Sequence, residues 1–182
     1  WESSRKVIRL RYKVNLPEGT AGEFRIEKRI VDSWCGHPEP KDEYTILFCP
    51  THEIMQDTTK EYREHAPLWE NAKGDVLLAG LGIGMVHQFL IDNEDVTSVT
   101  IVEKNQEVID LVWDHCPKNE KFRLVRADIY DWEPDSTWDV GWFDSWIGEC
   151  THEEYFKIID DKYAKYCEQI LFWEEDKHAG NI

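Results

Sequence analysis

Asp75-Val76-Leu77-Leu78-Ala79-Gly80-Leu81-Gly82-Ile83-Gly84-Met85 carries two signals in one short stretch. Asp75–Leu81 reads as a nearly continuous apolar run, the pattern of a strand buried on both faces. The glycines that close it permit a turn with bare backbone open to a ligand, and a following helix N-terminus favours negative charge. Met85, Val86, Phe89 and Leu90 predict that helix. Downstream the rhythm repeats. Val96–Val102 is a β-branched run, and Ile109, Val112, Trp113 and Cys116 recur at helical spacing until Pro117 stops them. Phe122–Ala127 and Val140–Phe143 predict a third and a fourth strand, Thr151–Tyr166 a helix, and Ile170–Trp173 a fifth strand. Such alternation predicts an α/β fold with a parallel, doubly wound sheet, expected to end at that fifth strand.

Upstream the pattern is β. Val7, Leu10, Tyr12 and Val14 suggest one strand and Phe24–Val31 another, with Pro17-Glu18-Gly19 as the hairpin connection. A Gly/Pro-rich stretch, Cys35–Pro40, leads to a third strand at Tyr44–Cys49, and residues 55–72 read as helix broken at Pro67. The expected division is therefore a β-hairpin appendage over residues 1–52 and an α/β domain over residues 53–182.

Composition bounds the partners. The chain has 182 residues, enough for one domain with an appendage, and 41% hydrophobic residues, enough for a packed core. No apolar run approaches the roughly 18–20 residues of a membrane helix. Five cysteines at irregular spacing do not read as a secreted disulfide framework, so a reducing, cytoplasmic setting is expected. A net charge of −16 opposes generic binding to a phosphate backbone. The charge is uneven: residues 1–31 hold eight Lys/Arg against four Asp/Glu, a local +4, and the rest hold 13 against 33, a local −20. An acidic body of this kind favours a cationic ligand. The basic arm can dock on a neighbour, and the exposed edges of a hairpin invite self-association.

The spacing Gly80-Leu81-Gly82-Ile83-Gly84 resembles motif I of the class I S-adenosylmethionine-dependent methyltransferases. A dinucleotide motif would want its third glycine at position 85, where Met85 stands, so NAD is not expected as the cofactor. Glu103 ends the second strand, where an acid can grip two ribose hydroxyls. Ala127-Asp128-Ile129 resembles the family's adenine-contacting segment, and Asp144 stands where its motif IV acid does. The resemblance runs from about residue 45 to 173. It implies a Rossmann-like fold and a cofactor site of Gly80, Gly82, Gly84, Met85, Glu103, Lys104, Asp128, Ile129 and Asp144. The cofactor implied is S-adenosylmethionine or a close analogue such as its decarboxylated form.

The layout also resembles the polyamine aminopropyltransferases such as spermidine synthase, through Met55-Gln56-Asp57-Thr58, Tyr62-Arg63-Glu64 and then His65-Ala66-Pro67-Leu68. Small phage-type methyltransferase-like proteins are a further, less specific likeness. The departures are concrete. Ile83 replaces an acid of the aminopropyltransferase loop, and Leu78 replaces the acid usual in methyltransferases. The loop Asp144-Ser145-Trp146-Ile147-Gly148 lacks the aminopropyltransferases' second acid and proline. Asp144 and Tyr62 are the expected catalytic residues, with Glu61 and Glu64 beside Tyr62 and with Trp146 as a pocket wall. Three readings stay open: methyl transfer to a small acceptor, cationic or neutral, aminopropyl transfer, and a non-catalytic cofactor-binding protein. Cys35-x-His37 and Cys49-x-x-His52 would supply the donors of a zinc site if they converged. Buried cysteines and loop histidines are the alternative, and no metal is assigned.

Overall fold

A computed structural model of the chain describes residues 12–145 and 151–173. Two β-sheets organise them, one of four antiparallel strands and one of five parallel strands. The chain forms two compact units. One takes residues up to Arg63 together with Leu81–Asp92 and Asn105–Lys118. The other takes Glu64–Gly80, Asn93–Lys104 and the residues from Asn119 onward.

The first unit holds the antiparallel sheet: β1 (Gly19–Ala21), β2 (Phe24–Trp34), β3 (His37–Phe48) and β4 (Glu53–Gln56), in that order. Its main hairpin turns at Cys35 and Gly36, both at positive φ (47° and 78°), between the paired residues Trp34 and His37. Two consecutive residues at positive φ make the turn whose twist matches that of the flanking strands. β3 therefore starts well before Tyr44. Pro38 and Pro40 are tolerated in it because β4 pairs only with Ile46–Phe48, which leaves one edge of this part unladdered.

The sequence expectation for the first strand is corrected. Tyr12 is helical, and the Val14 N–H is taken by the Asp57 carboxylate at 3.0 Å rather than by a strand partner. Asp57 is buried and also accepts from Thr45 N–H at 2.7 Å. Val7 and Leu10 lie outside the described residues. The helix expected over residues 55–72 is likewise three elements: β4, α1 (Thr59–Glu64) and α2 (Ala66–Asn71). Buried Glu39 accepts from the Thr59 and Lys60 N–H groups and so caps α1. Pro67 sits in the first turn of α2, where its missing N–H costs nothing, so it begins a helix as well as ending one.

Two further helices belong to the first unit, α3 (His87–Asp92) and α4 (Gln106–Val112). α4 packs on the antiparallel sheet, with Leu111 and Glu107 against the glycines of the β1–β2 hairpin. His87 ties α3 to the end of α4, its Nδ1 2.8 Å from the Pro117 carbonyl.

The second unit is built on β5 (Gly74–Ala79), β6 (Val96–Glu103), β7 (Phe122–Arg126), β8 (Trp138–Phe143) and β9 (Cys167–Phe172). They form an all-parallel sheet in the order β7-β6-β5-β8-β9. This is the expected α/β sheet. The chain runs outward from β5 to one side and then returns to fill the other, which makes the end of β5 the point where the winding reverses. Val76 to Ala79 are all buried, as the apolar run requires. Between β8 and β9, α5 (His152–Tyr163) opens with a reciprocal cap between Thr151 and Glu154. Its Tyr155, Ile159 and Tyr163 pack with Leu77, Ala79, Phe143 and Phe172 in the core of this unit. No described helix is long and apolar enough to cross a membrane.

Candidate functional site

Parallel strands bring their carboxyl ends to one edge, where open α/β sheets bind ligands. Four neighbouring strands of the second unit put Asp128, Glu103, Gly80 and Asp144 at that edge, in the spatial order β7, β6, β5, β8. Gly80 leaves β5 at a φ of 109°, open only to glycine at little cost, and its N–H bonds to the Val102 carbonyl at 2.9 Å. Glu103 is the last residue of β6 and is 7% exposed. Its carbonyl accepts from Ala127 N–H at 3.1 Å, so the β6 and β7 ends are held together just before Asp128. Lys104 reaches across them, with Nζ 3.7 Å from an Asp128 oxygen. Asp128 also starts a turn, accepting from Tyr130 N–H at 3.0 Å. Ile129 is in the core, and its carbonyl takes the Tyr163 hydroxyl at 2.6 Å.

Asp144 follows β8 with its carboxylate one-third exposed. The next residue is fixed from two sides. The Tyr130 hydroxyl donates to the Ser145 carbonyl at 3.0 Å, and Ser145 N–H donates to the Tyr155 hydroxyl at 3.2 Å. Burial drives the Tyr155 phenol well above its ordinary pKa, which keeps it a neutral anchor. His65, at the start of α2, is 1% exposed, and its Nε2 lies 3.9 Å from an Asp144 oxygen. No spacing rule links His65 to Asp144 across the intervening sequence. The nearest signal is Pro67, which marks the helix start that His65 caps. Trp146 lies outside the described residues.

The remaining expected site residues belong to the first unit. Gly82 and Gly84 have φ of 52° and 70°. A Cβ on Gly82 would stand 2.4 Å from Met55 Sδ, and one on Gly84 would stand 2.6 Å from Cys116 Cβ. Both glycines are thus required by conformation and by close packing. Met85 is buried beside them in sequence. Tyr62 stacks on Tyr12 with ring centroids 4.7 Å apart, and burial raises its phenol pKa. Its neighbour Glu61 is buried and accepts from Gln56 at 2.9 Å.

The four-donor zinc arrangement does not form. His37 opens β3 and Cys49 follows its end, a separation on the order of 30 Å or more at ~3.3 Å per residue. Cys49 pairs instead with its own turn, with Sγ 3.3 Å from His52 Nδ1 and 3.5 Å from Thr51 Oγ1.

No family model matches the sequence, and no curated protein matches it. Among solved structures the chain is similar to DhpI in a complex with SAH, at a TM-score of 0.48 and 21% identity, over 60% of this chain and 52% of that one. It is similar to the N-methyltransferase NodS from Bradyrhizobium japonicum WM9, at a TM-score of 0.46 and 13% identity, over 63% and 64% of the two chains. It is also similar to spermidine synthase from Thermotoga maritima, at a TM-score of 0.48 and 15% identity, over 82% of this chain and 52% of that one. The chain thus spans about half the length of DhpI.

Proposed function

We propose that the chain binds S-adenosylmethionine and transfers its methyl group to a small, cationic acceptor. The observation that carries this reading is the row of strand ends on one sheet edge: a glycine on the central strand, flanked by Asp128 and Glu103 on one side and Asp144 on the other. When bound, the cofactor supplies a methyl carbon already activated by a sulfonium. The protein's work is then alignment and charge. Glu103 takes the two ribose hydroxyls, the Asp128–Ile129 backbone takes the adenine edge, and Lys104 keeps Asp128 in place. Gly82, Gly84 and Met85 follow Gly80 in the same glycine-rich stretch of sequence.

Asp144 faces the acceptor and attracts a protonated amine. It takes the proton that the ammonium must lose before its nitrogen has a lone pair with which to attack the methyl carbon. The net charge of −16 suits such an acceptor and disfavours nucleic acid. The same charge favours a second reading, aminopropyl transfer from decarboxylated S-adenosylmethionine to a polyamine. Self-association through the β appendage and a cytoplasmic location belong to this proposal as well.

Isothermal titration tests it. S-adenosylmethionine and S-adenosylhomocysteine should bind, and a preference for the decarboxylated form would select the second reading. Glu103→Ala removes two charge-assisted hydrogen bonds of ~1.5–3 kcal/mol each and should weaken binding by at least about 100-fold. Wild-type affinity in that variant, or no binding to the wild type, sinks the assignment.

A further inference from the structure

Asp144 stands at the open edge of the sheet with a second titratable group behind it. His65 is buried, with its ring centroid 5.2 Å from that of Trp142 on β8 and 5.7 Å from that of Trp69 on α2. Its carbonyl accepts from Leu68 N–H at 3.0 Å and from Trp69 N–H at 3.1 Å, which fixes its backbone to the first turn of α2. Ring and backbone are therefore both held, and what the ring presents to Asp144 is Nε2, at 3.9 Å. The backbone beyond Asp144 is held independently, by Tyr130 and Tyr155 through Ser145. With both flanking backbones anchored, His65 is a fixed group beside the Asp144 carboxylate. Hydrogen bonds of working sites are often long in the ligand-free state and tighten when the ligand arrives.

We propose that His65 is the positioning residue of Asp144, and that the pair acts as a proton-accepting unit for an acceptor with an N–H or O–H to lose. The proposal rests on the transferase reading above. His65 Nε2–H donates to one carboxylate oxygen and turns the other toward the acceptor. In the transfer, the acceptor's lone pair forms the bond to the methyl carbon, and the carbon–sulfur bond breaks with its electron pair left on sulfur. The acceptor's proton passes to the outward oxygen of Asp144. The carboxylate becomes a neutral acid and the imidazole keeps its Nε2 proton, so the pair takes up the reaction's proton with no bare charge left in the buried part of the site. A site meant only to attract a cation needs no buried imidazole behind its carboxylate. An acceptor that must be deprotonated makes use of one.

Nitrogen-15 spectra of the full chain with labelled histidine test the pairing directly. The chain has seven histidines, and the His65 ring signals are those lost in His65→Gln. In the wild type Nε2 should carry the proton, and Asp144→Asn should shift the His65 ring nitrogens while leaving those of His87 in place. His87 is buried in the other compact unit with its own carbonyl partner, so it reports on folding. If Asp144→Asn unfolds the chain, Asp144→Glu is read in the same way. Ring nitrogens of His65 that do not move in a folded variant overturn the proposal.

The reciprocal measurement is S-adenosylhomocysteine binding to His65→Gln, expected within twofold of wild type because the imidazole faces the acceptor carboxylate and not the cofactor. A loss of tenfold or more would also overturn the proposal, by making His65 part of the cofactor site. A wild-type chain that binds no S-adenosylhomocysteine would defeat the transferase reading while the His65–Asp144 coupling was still read from the spectra.

Discussion

Glu103, Asp128 and Asp144 share one property in the sequence: each follows or closes a β-rich run, apolar for Glu103 and Asp144 and alternating with arginines for Asp128. A polar residue at the end of a buried parallel strand emerges at the ligand-binding edge by construction. For Asp144 the deciding variant is Asp144→Asn, which keeps shape and removes charge. Turnover should fall by about 10²–10⁴-fold with a milder loss of cofactor affinity, as for a lost acid–base group. Turnover near wild type, with only a lower melting temperature, would make the residue a turn former. His65 carries no signal of its own in the sequence, because its meaning depends on Asp144, which only the fold brings close. Cys49 and His52 show the opposite case, since residues expected to reach across the appendage serve their own turn. Burial opposes ionisation of the Cys49 thiol, but hydrogen bonds from the Thr51 hydroxyl and from nearby backbone N–H groups outweigh it, and its pKa is lowered. Burial instead pushes Cys116 up to about 11 and Cys167 to about 12. Iodoacetamide at neutral pH should therefore modify Cys49 well before Cys116 or Cys167, as read by peptide mass mapping. Equal rates in the folded chain would contradict this.

Elements were legible where periodicity was pure. β5 and β6 match their expected ranges within a residue or two, whereas Tyr12 and Val14 form no strand, because a buried carboxylate, Asp57, captures backbone that an alternating pattern assigns to one. The Gly80–Gly84 loop shows how an element can be held for two reasons at once. A side chain at a positive-φ position costs about 1–2 kcal/mol, and Gly84→Ala would add a clash with Cys116 Cβ, an atom next to the backbone. Gly82→Ala meets only the sulfur of a flexible methionine. Urea denaturation should show Gly84→Ala losing about 2–3 kcal/mol and Gly82→Ala less. Met55→Ala should recover part of the Gly82→Ala loss but none of the Gly84→Ala loss. The contact between α3 and the loop after α4 carries a pH signature. Burial lowers His87 from 6.5 to about 4, with the Pro117 hydrogen bond opposing. Between those values the unfolded chain binds a proton that the folded chain refuses, so stability falls as pH drops through the window. By linkage the loss is about 2 kcal/mol at pH 5 relative to pH 7, and His87→Gln should flatten it. An equal pH dependence in the variant would remove His87 as the cause.

At the scale of the whole molecule, charge and free strand edges set association. The local +4 of residues 1–31 against −20 elsewhere was read from composition alone. The extent of the exposed ribbon was not, because Cys35 at positive φ is an unusual hairpin residue and the prolines of β3 disguise its start. β1 pairs only with Phe24–Ile26 of β2, and β4 only with Ile46–Phe48 of β3. Among the described residues the hairpin is therefore a two-stranded ribbon from Glu27 to Tyr44, and Ile30 on it is 70% exposed. Two-stranded ribbons are marginal alone, and unladdered edges pair readily with another copy. We expect the chain to self-associate through this ribbon, and light scattering at low and high salt separates the possible causes. Association by strand pairing and apolar contact should persist at 1 M salt, where the Debye length is about 3 Å, and Ile30→Lys should abolish it. Attraction between the basic arm and the acidic body would instead disappear with salt and survive Ile30→Lys. A wild-type chain that stays monomeric at every concentration and salt would rule out both, leaving the ribbon's exposed apolar residue without a partner of its own kind.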